Sequence, residues 1–146
     1  MLARALHQIL PDLSPEERSE VAAIASAAGQ TRGSSLRPPL RAPHHDLTVA
    51  GLIGGGPRLS PGELTWAHRG LLLLDEIGEV RRDALEALRE PLERGWVDLV
   101  RAGRSVRFPA DAIVAATGNP CGCGELEYPS GTCRCLPAAR RRGRSE

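Results

Sequence analysis

The amino-acid sequence predicts an α/β fold in which a parallel sheet is flanked by helices. Leu71 to Leu74 form an unbroken apolar run bounded by Gly70 and Gly78, which is typical of a strand buried on both faces. A second short apolar run, Ile113 to Ala116, predicts another core strand. Two stretches with helical periodicity precede and separate these runs. The 146 residues suit one domain, 1–146, built around one core.

Composition limits the classes of function. The chain is 41% apolar and 25% charged, as expected for a globular protein, and its formal net charge of +1 gives no global case for binding nucleic acid or a membrane. It shows neither a signal peptide nor an apolar run near the roughly 18 residues of a membrane span. We therefore expect a cytoplasmic protein without a membrane partner. All 19 basic residues are arginine.

The first 30 residues predict two helices. Apolar residues at helical spacing predict a helix from Met1 to Leu10, which Pro11 ends. A second helix has Ser14 as its N-cap, with Pro15 at its first position and Glu17 completing a capping box. A loop without secondary structure is expected from Gln30 to Pro39.

The middle of the chain contains three consecutive glycines, Gly54 to Gly56, in a stretch from Gly51 to Gly62. A phosphate-binding loop would need a following Gly-Lys-Ser/Thr, which this stretch lacks. We expect a flexible loop there, followed by a short helix or turn from Glu63 to His68.

A helix is predicted from Arg82 to Arg94, with Leu85, Leu88 and Leu92 on one face. Two β-prone runs follow, Trp96 to Val100 and Ser105 to Phe108. Gly103 in the short connection predicts that they form a hairpin.

Asp75 and Glu76 follow the first apolar strand directly. Ligands bind at the carboxyl ends of strands in open α/β sheets, and adjacent carboxylates repel each other unless a metal ion neutralises them. This is the arrangement of a Walker B element, in which Asp75 holds Mg²⁺ and Glu76 polarises the attacking water. A core strand ending in a solvated acidic turn is the alternative. Asn119 follows the other strand and is either a turn residue or a group that orients that water.

His44 and His45 suggest a metal site or a catalytic base. Consecutive residues of an extended chain point in opposite directions, however, so we expect a polar structural or interface role for the pair.

The order of these motifs resembles AAA+ ATPases of the helix-2-insert group. Its parts are Gly62–Gly70, the Leu71–Glu76 strand, the Leu85–Glu93 helix, a hairpin, and Ala115–Asn119. Two further stretches, Arg37–His45 and Asn119–Cys123, are similar to signatures of the Mg-chelatase-like family, in particular its ComM/YifB branch.

The resemblance implies a P-loop NTPase core that uses ATP and Mg²⁺ and assembles into a homo-oligomeric, usually hexameric, ring. It implies that Asp75 binds Mg²⁺, that Glu76 is the catalytic base and that Asn119 is sensor 1. The Gly54–Gly56 region would be the helix-2 insert, and Trp96–Phe108 the pre-sensor hairpin. The branch is associated with ATP-driven work on DNA, whereas the sister chelatase subunits drive Mg²⁺ insertion into porphyrin.

The family's Walker A loop precedes the helix that begins at Met1 here, and its arginine finger and helical lid follow downstream. Because this chain has no lysine, it contains no Walker A motif. We expect an internal fragment of an ATP hydrolase that is nearly inactive alone. The alternative is a non-catalytic, zinc-stapled interaction or DNA-binding remnant.

Cys121, Cys123, Cys133 and Cys135 form two closely spaced pairs, which in a cytosolic protein favour a metal over disulfides. Four thiolates suit tetrahedral Zn²⁺ in a loop spanning 119–136, with free thiols as the alternative. The arginine-rich run from Arg140 to Arg144 is either a nucleic-acid contact or a solvated tail.

Overall fold

The computed structural model describes residues 2–30 and 35–119. Its centre is a parallel three-stranded sheet of β1 (Leu40–Arg41), β4 (Leu71–Leu74) and β7 (Ile113–Ala116), with β4 in the middle. All four leucines of β4 are buried, as the unbroken apolar run predicted. The predicted α/β fold with a parallel sheet and flanking helices is therefore confirmed.

The helices and hairpins follow the chain in a simple order. The helices are α1 (Leu2–Gln8), α2 (Pro15–Ala27), α3 (Val49–Ile53), α4 (Glu63–Trp66) and α5 (Arg82–Arg94). The antiparallel pairs are β2 (Gly54–Gly55) with β3 (Ser60–Pro61), and β5 (Trp96–Arg101) with β6 (Arg104–Pro109). The capping box of α2 is present, since the Ser14 side chain accepts from the Glu17 N–H and the Glu17 carboxylate accepts from the Ser14 N–H.

The hydrophobic core lies between the sheet, the middle helices and the inner face of the β5–β6 hairpin. Leu72 and Leu74 contribute from β4, and the other members are Leu52, Leu59, Leu64, Ala67, Val80, Ala84, Leu88, Val97, Leu99, Phe108 and Ala110. Leu71 and Leu73 are also buried, and the two-residue period of a strand points them to the other face of the sheet. Burying β4 on both faces fixes where its carboxyl end lies.

Gly70 is needed because the chain enters β4 directly beside β1. A Cβ at this position would lie 2.1 Å from the Pro39 carbonyl oxygen, which also accepts the Leu71 N–H at 2.8 Å. Any larger residue would therefore separate the two strands.

The expectation of a flexible loop from Gly51 to Gly62 is wrong. Thr48 is the N-cap of helix α3, and its side chain accepts the Gly51 N–H at 3.1 Å. Leu52 of this helix is fully buried in the core. The short antiparallel pair β2–β3 then separates α3 from α4. Gly54, Gly55 and Gly56 have φ of 112°, 142° and 77°; the first two form β2, and Gly56 begins the turn that leads to β3.

Other expectations needed smaller corrections. Leu92 is 42% exposed, and the buried residues of α5 are Ala84, Leu88 and Pro91, so the helix packs through a neighbouring face. The first helix ends at Gln8 and not at Leu10. The β5–β6 hairpin is longer than predicted, because Arg101 and Arg104 pair across the Ala102–Gly103 turn.

Candidate functional site

Asp75 and Glu76 lie at the carboxyl edge of the sheet, where the sequence placed them. Strands β4 and β7 are in register, with Leu74 opposite Ala116, so the residues after them are neighbours. Thr117 donates its N–H to the Leu74 carbonyl at 2.9 Å and accepts the Ile77 N–H on its own carbonyl at 2.8 Å. Backbone hydrogen bonds on both sides of the acidic pair therefore hold it against the end of β7.

The Thr117 hydroxyl joins both acidic residues. It donates a hydrogen bond to Asp75 Oδ1 and accepts the Glu76 N–H at 3.3 Å. Thr117 was not predicted from the sequence as a site residue. The sequence did contain a signal for it. Thr117 follows the Ile113–Ala116 strand as Asp75 follows the Leu71–Leu74 strand, and two neighbouring parallel strands would bring these residues together.

Glu76 has φ of +54°, in the left-handed region that residues with a Cβ rarely occupy. Such backbone strain persists only where surrounding bonds fix the conformation, and it is frequent at functional sites. Here the neighbouring Ile77 N–H and the Glu76 N–H are both bonded to Thr117. With the backbone in this conformation, Glu76 Oε2 lies 3.5 Å from His45 Nδ1.

The expectation that His44 and His45 point in opposite directions is wrong, because the chain turns at residues 45 and 46 and is not extended. The two imidazole rings lie side by side, with centroids 4.0 Å apart. A carboxylate oxygen of Asp46 is 3.3 Å from His44 Nδ1, and the other is 3.9 Å from His45 Nε2. The turn thus brings two imidazoles and a carboxylate beside Glu76.

The strand that precedes this turn is held by a bidentate ion pair. Arg41, the last residue of β1, donates from Nε to Glu63 Oε2 at 2.5 Å and from a terminal nitrogen to Oε1 at 2.7 Å. These hydrogen bonds from Arg41 to Glu63 raise the Arg41 pKa above its ordinary value. Because Glu63 begins α4, the pair fixes β1 and the following turn to the helical layer.

Asn119 is exposed and lies two residues beyond Thr117. The intervening segment runs close to the acidic turn, since a Cβ on Gly118 would lie 3.0 Å from Ile77 Cγ2. Cys121, Cys123, Cys133, Cys135 and the Arg140–Arg144 run lie outside the described residues. The predicted zinc loop therefore stays a prediction.

The donors at this edge fit Mg²⁺. The Asp75 carboxylate and the Thr117 hydroxyl are hard oxygen donors, which this cation prefers, and Asp75 is exposed enough to share the ion with water. Glu76 presents a second carboxylate whose side chain is 56% exposed.

A different polar cluster lies at the amino edge of the sheet. Glu20 accepts from Arg69 Nε at 2.7 Å and lies 3.2 Å from Nε2 of the buried His68, whose Nδ1 accepts the Asp111 N–H at 3.1 Å. Arg69 also donates to the Asp111 carboxylate at 2.7 Å. Hydrogen bonding from Arg69 lowers the Glu20 pKa, and burial lowers the His68 pKa.

This cluster ties α2 to the residues that enter β4 and β7, and a cavity of about 210 Å³ beside it is lined partly by Arg69 and Asp111. Because it lies at the opposite end of the strands from Asp75, we assign it a structural role. Among the helices of the described ranges, none has the length and apolar character needed to cross a membrane.

Comparison with known proteins gives one family. The family model for "Magnesium chelatase, subunit ChlI" matches residues 1–146. An uncharacterized protein of Mycobacterium tuberculosis is 44% identical over 146 residues, 97% of this chain and 29% of that protein. The uncharacterized protein YifB of Escherichia coli is 40% identical over 139 residues, 94% of this chain and 27% of that protein.

Competence protein ComM of Haemophilus influenzae is 38% identical over 122 residues, 82% of this chain and 24% of that protein. The chain thus spans less than a third of the length of these relatives. Among solved structures, a chain of the complex between subunits BchI and BchD of magnesium chelatase matches with a TM-score of 0.59 at 22% identity. That match covers 81% of this chain and 42% of the other. The structural likeness shows a shared fold.

Proposed function

The chain belongs to the magnesium chelatase ChlI family, and on that premise we propose that it is part of the core of an AAA+ ATPase. The observation that carries the proposal is the pair Asp75–Glu76 at the carboxyl end of the doubly buried strand β4, bonded to Thr117 at the end of β7. A buried strand holds these carboxylates rigidly at the edge where nucleotides bind in such sheets.

In this proposal Asp75 would hold Mg²⁺, directly or through water, with its orientation set by the Thr117 hydroxyl. The bound ion would neutralise charge on the ATP phosphates. Glu76 would accept a proton from the attacking water, and its left-handed backbone sets the direction of its carboxylate. Asn119 would act as sensor 1 and orient that water. The phosphate-binding loop, with its lysine, would come from the remainder of the parent protein.

The substrate we propose is DNA, remodelled by a homo-oligomeric ring. Two observations support DNA. The β5–β6 hairpin carries exposed Arg101 and Arg104 at its tip, and exposed Arg58 lies in the β2–β3 turn. Positive side chains at the ends of hairpins suit contacts with phosphates. One relative is also named a competence protein.

Porphyrin metalation is the second candidate, because the magnesium-chelatase subunit ChlI of Porphyra purpurea is 35% identical over 69 residues. That match covers only 47% of this chain, so we favour DNA. ATPase stimulation by duplex or branched DNA, against stimulation by a porphyrin with its chelatase partners, separates the two.

The test of the ATPase itself is Glu76→Gln in the intact parent protein. Glutamine keeps the shape of the side chain and removes the base, so turnover should fall about 10²- to 10⁴-fold while ATP binding is retained. Glu79→Gln is the matched control, because Glu79 is an exposed glutamate in the same segment. Near-normal turnover of Glu76→Gln would refute the assignment, and so would an equal loss in the control. A parent with no ATPase activity at all would favour the non-catalytic alternative.

A further inference from the structure

The turn formed by His44, His45 and Asp46 places three metal-binding side chains in one cluster. Each offers a ligand atom, and these atoms all lie within 4.8 Å of one another. The proposed ATPase mechanism uses none of the three. Their chemistry differs from that of Asp75, because two of the donors are imidazole nitrogens.

The three ligand atoms lie within 4.8 Å of one another, which is wider than the separation in a closed tetrahedral site. Zinc binds histidine nitrogen and carboxylate oxygen at about 2.0–2.2 Å, so two adjacent ligand atoms of a tetrahedron are separated by about 3.3 Å. His44 Nδ1 and one Asp46 oxygen are 3.3 Å apart, and His45 Nε2 and the other oxygen are 3.9 Å apart. His44 and Asp46 are 71% and 85% exposed at their side chains, so small rotations can close the remaining gap and water can complete the shell.

An independent observation points to the same site. Glu76 Oε2 lies 3.5 Å from His45 Nδ1, while the other ring nitrogen, Nε2, faces Asp46. Metal-binding histidines commonly donate their second ring N–H to a carboxylate, which fixes the tautomer and orients the ring. Glu76 therefore stands where such an outer carboxylate would stand, on a backbone already held by Thr117.

One contact opposes metal binding, and it is weak. The Asp46 N–H donates to His44 Nδ1 at 3.4 Å, a long hydrogen bond that an ion at this nitrogen would replace. Because Asp46 is exposed, water can then accept its N–H. On the other side, the Arg41–Glu63 ion pair fixes the strand end from which the turn departs.

We propose that His44, His45 and Asp46 bind a divalent transition-metal ion of the zinc class, with Glu76 as the outer carboxylate of His45. Imidazole donors favour Zn²⁺, Cu²⁺ or Ni²⁺ over Mg²⁺, so this site is distinct from the Mg²⁺ site proposed at Asp75. One consequence rests on the proposed function: an ion held here would restrain the catalytic base and slow ATP hydrolysis. The metal site itself does not depend on ATPase activity.

The binding test uses the whole chain with its four cysteines replaced by serine, so that thiols do not compete. Calorimetric titration with Zn²⁺ alone and with Ni²⁺ alone should give one equivalent with micromolar affinity. His45→Ala and Asp46→Asn should abolish this binding, while His7→Ala should not, because His7 lies elsewhere, bonded to the Pro38 carbonyl. Circular dichroism checks that each variant is folded. Absence of binding in the cysteine-free chain, or binding that survives in folded His45→Ala and Asp46→Asn, would overturn the site.

The role of Glu76 has its own test. Glu76→Gln should weaken Zn²⁺ binding by about 10- to 100-fold, the usual effect of losing an outer-sphere partner, and Glu79→Gln should leave it unchanged. Equal affinities in the two variants would refute the link to Glu76. Because these readouts need no ATP, an inactive parent would remove the proposed function without touching this result.

Discussion

Thr117 is the residue whose replacement tests the geometry of the candidate site most directly. In the Thr117→Val variant the side chain keeps its shape and loses its hydroxyl. Asp75 then loses a hydrogen bond from that hydroxyl, and the Glu76 N–H loses its acceptor. Thr117→Ser is the matched control, because serine keeps the hydroxyl and lacks only the methyl group.

The size of the effect follows from the two bonds. A hydrogen bond to a charged group contributes about 1.5–3 kcal/mol, and a neutral one about 0.5–1.5 kcal/mol. Asp75 and Glu76 are exposed and the second bond is long, at 3.3 Å, so the lower end applies. We expect Thr117→Val to lower the free energy of unfolding by about 1 kcal/mol, which for a chain of this size lowers Tm by about 3–4 °C.

Thermal and urea unfolding of the chain, followed by circular dichroism, measure this loss without requiring activity. In the intact parent, poorer orientation of Asp75 and Glu76 that raises the activation free energy by about 1 kcal/mol would lower kcat roughly fivefold. Equal unfolding temperatures for Thr117→Val and Thr117→Ser would show that the hydroxyl does not hold the acidic pair.

Two further predictions concern stability. The free energy of unfolding should fall as the pH drops below 6.5, the ordinary pKa of His68, because the unfolded chain binds a proton there that the buried ring does not. It should fall again below about 4.5, where Glu20 is protonated in the unfolded chain but stays charged beside Arg69 in the folded chain. Urea titrations between pH 8 and pH 3 measure this, and His68→Gln should flatten the upper part of the curve. Separately, Ala102→Asn should stabilise the chain by about 1 kcal/mol, because Ala102 has φ of +47° in a two-residue hairpin turn that prefers Asn-Gly. The same change at exposed Ala42, which is not among the residues with positive φ, should not, and equal effects at both positions would contradict the turn argument.

Several parts of the fold could be predicted because their signals are local. The capping box at Ser14 is complete within four residues, and the unbroken leucine run of β4 identifies a strand without knowledge of its neighbours. The end of α5 at Gly95 was also predictable, since the left-handed conformation there suits glycine. In each case neighbouring residues alone determine the backbone.

Other parts depend on contacts that a local pattern does not contain. Helix α3 has only five residues, too few for a periodic signal, and it is stabilised by the Thr48 cap and the burial of Leu52. The choice of Leu92 for the buried face of α5 failed because the partner surface selects Ala84, Leu88 and Pro91 instead. These outcomes are set by packing between distant segments.

The same distinction between local signals and distant contacts applies to the candidate site. Asp75 and Glu76 were predictable because both follow one buried strand, but their partners come from other segments. Thr117 reaches them only because β7 pairs with β4 in register, and His45 only because the chain turns after β1. The strained Glu76 backbone is the consequence, since a left-handed residue at the end of a strand persists only where bonds from elsewhere fix it. The sequence could therefore indicate which acidic residues lie at the edge of the sheet, whereas the groups that orient them are determined by the topology of the sheet.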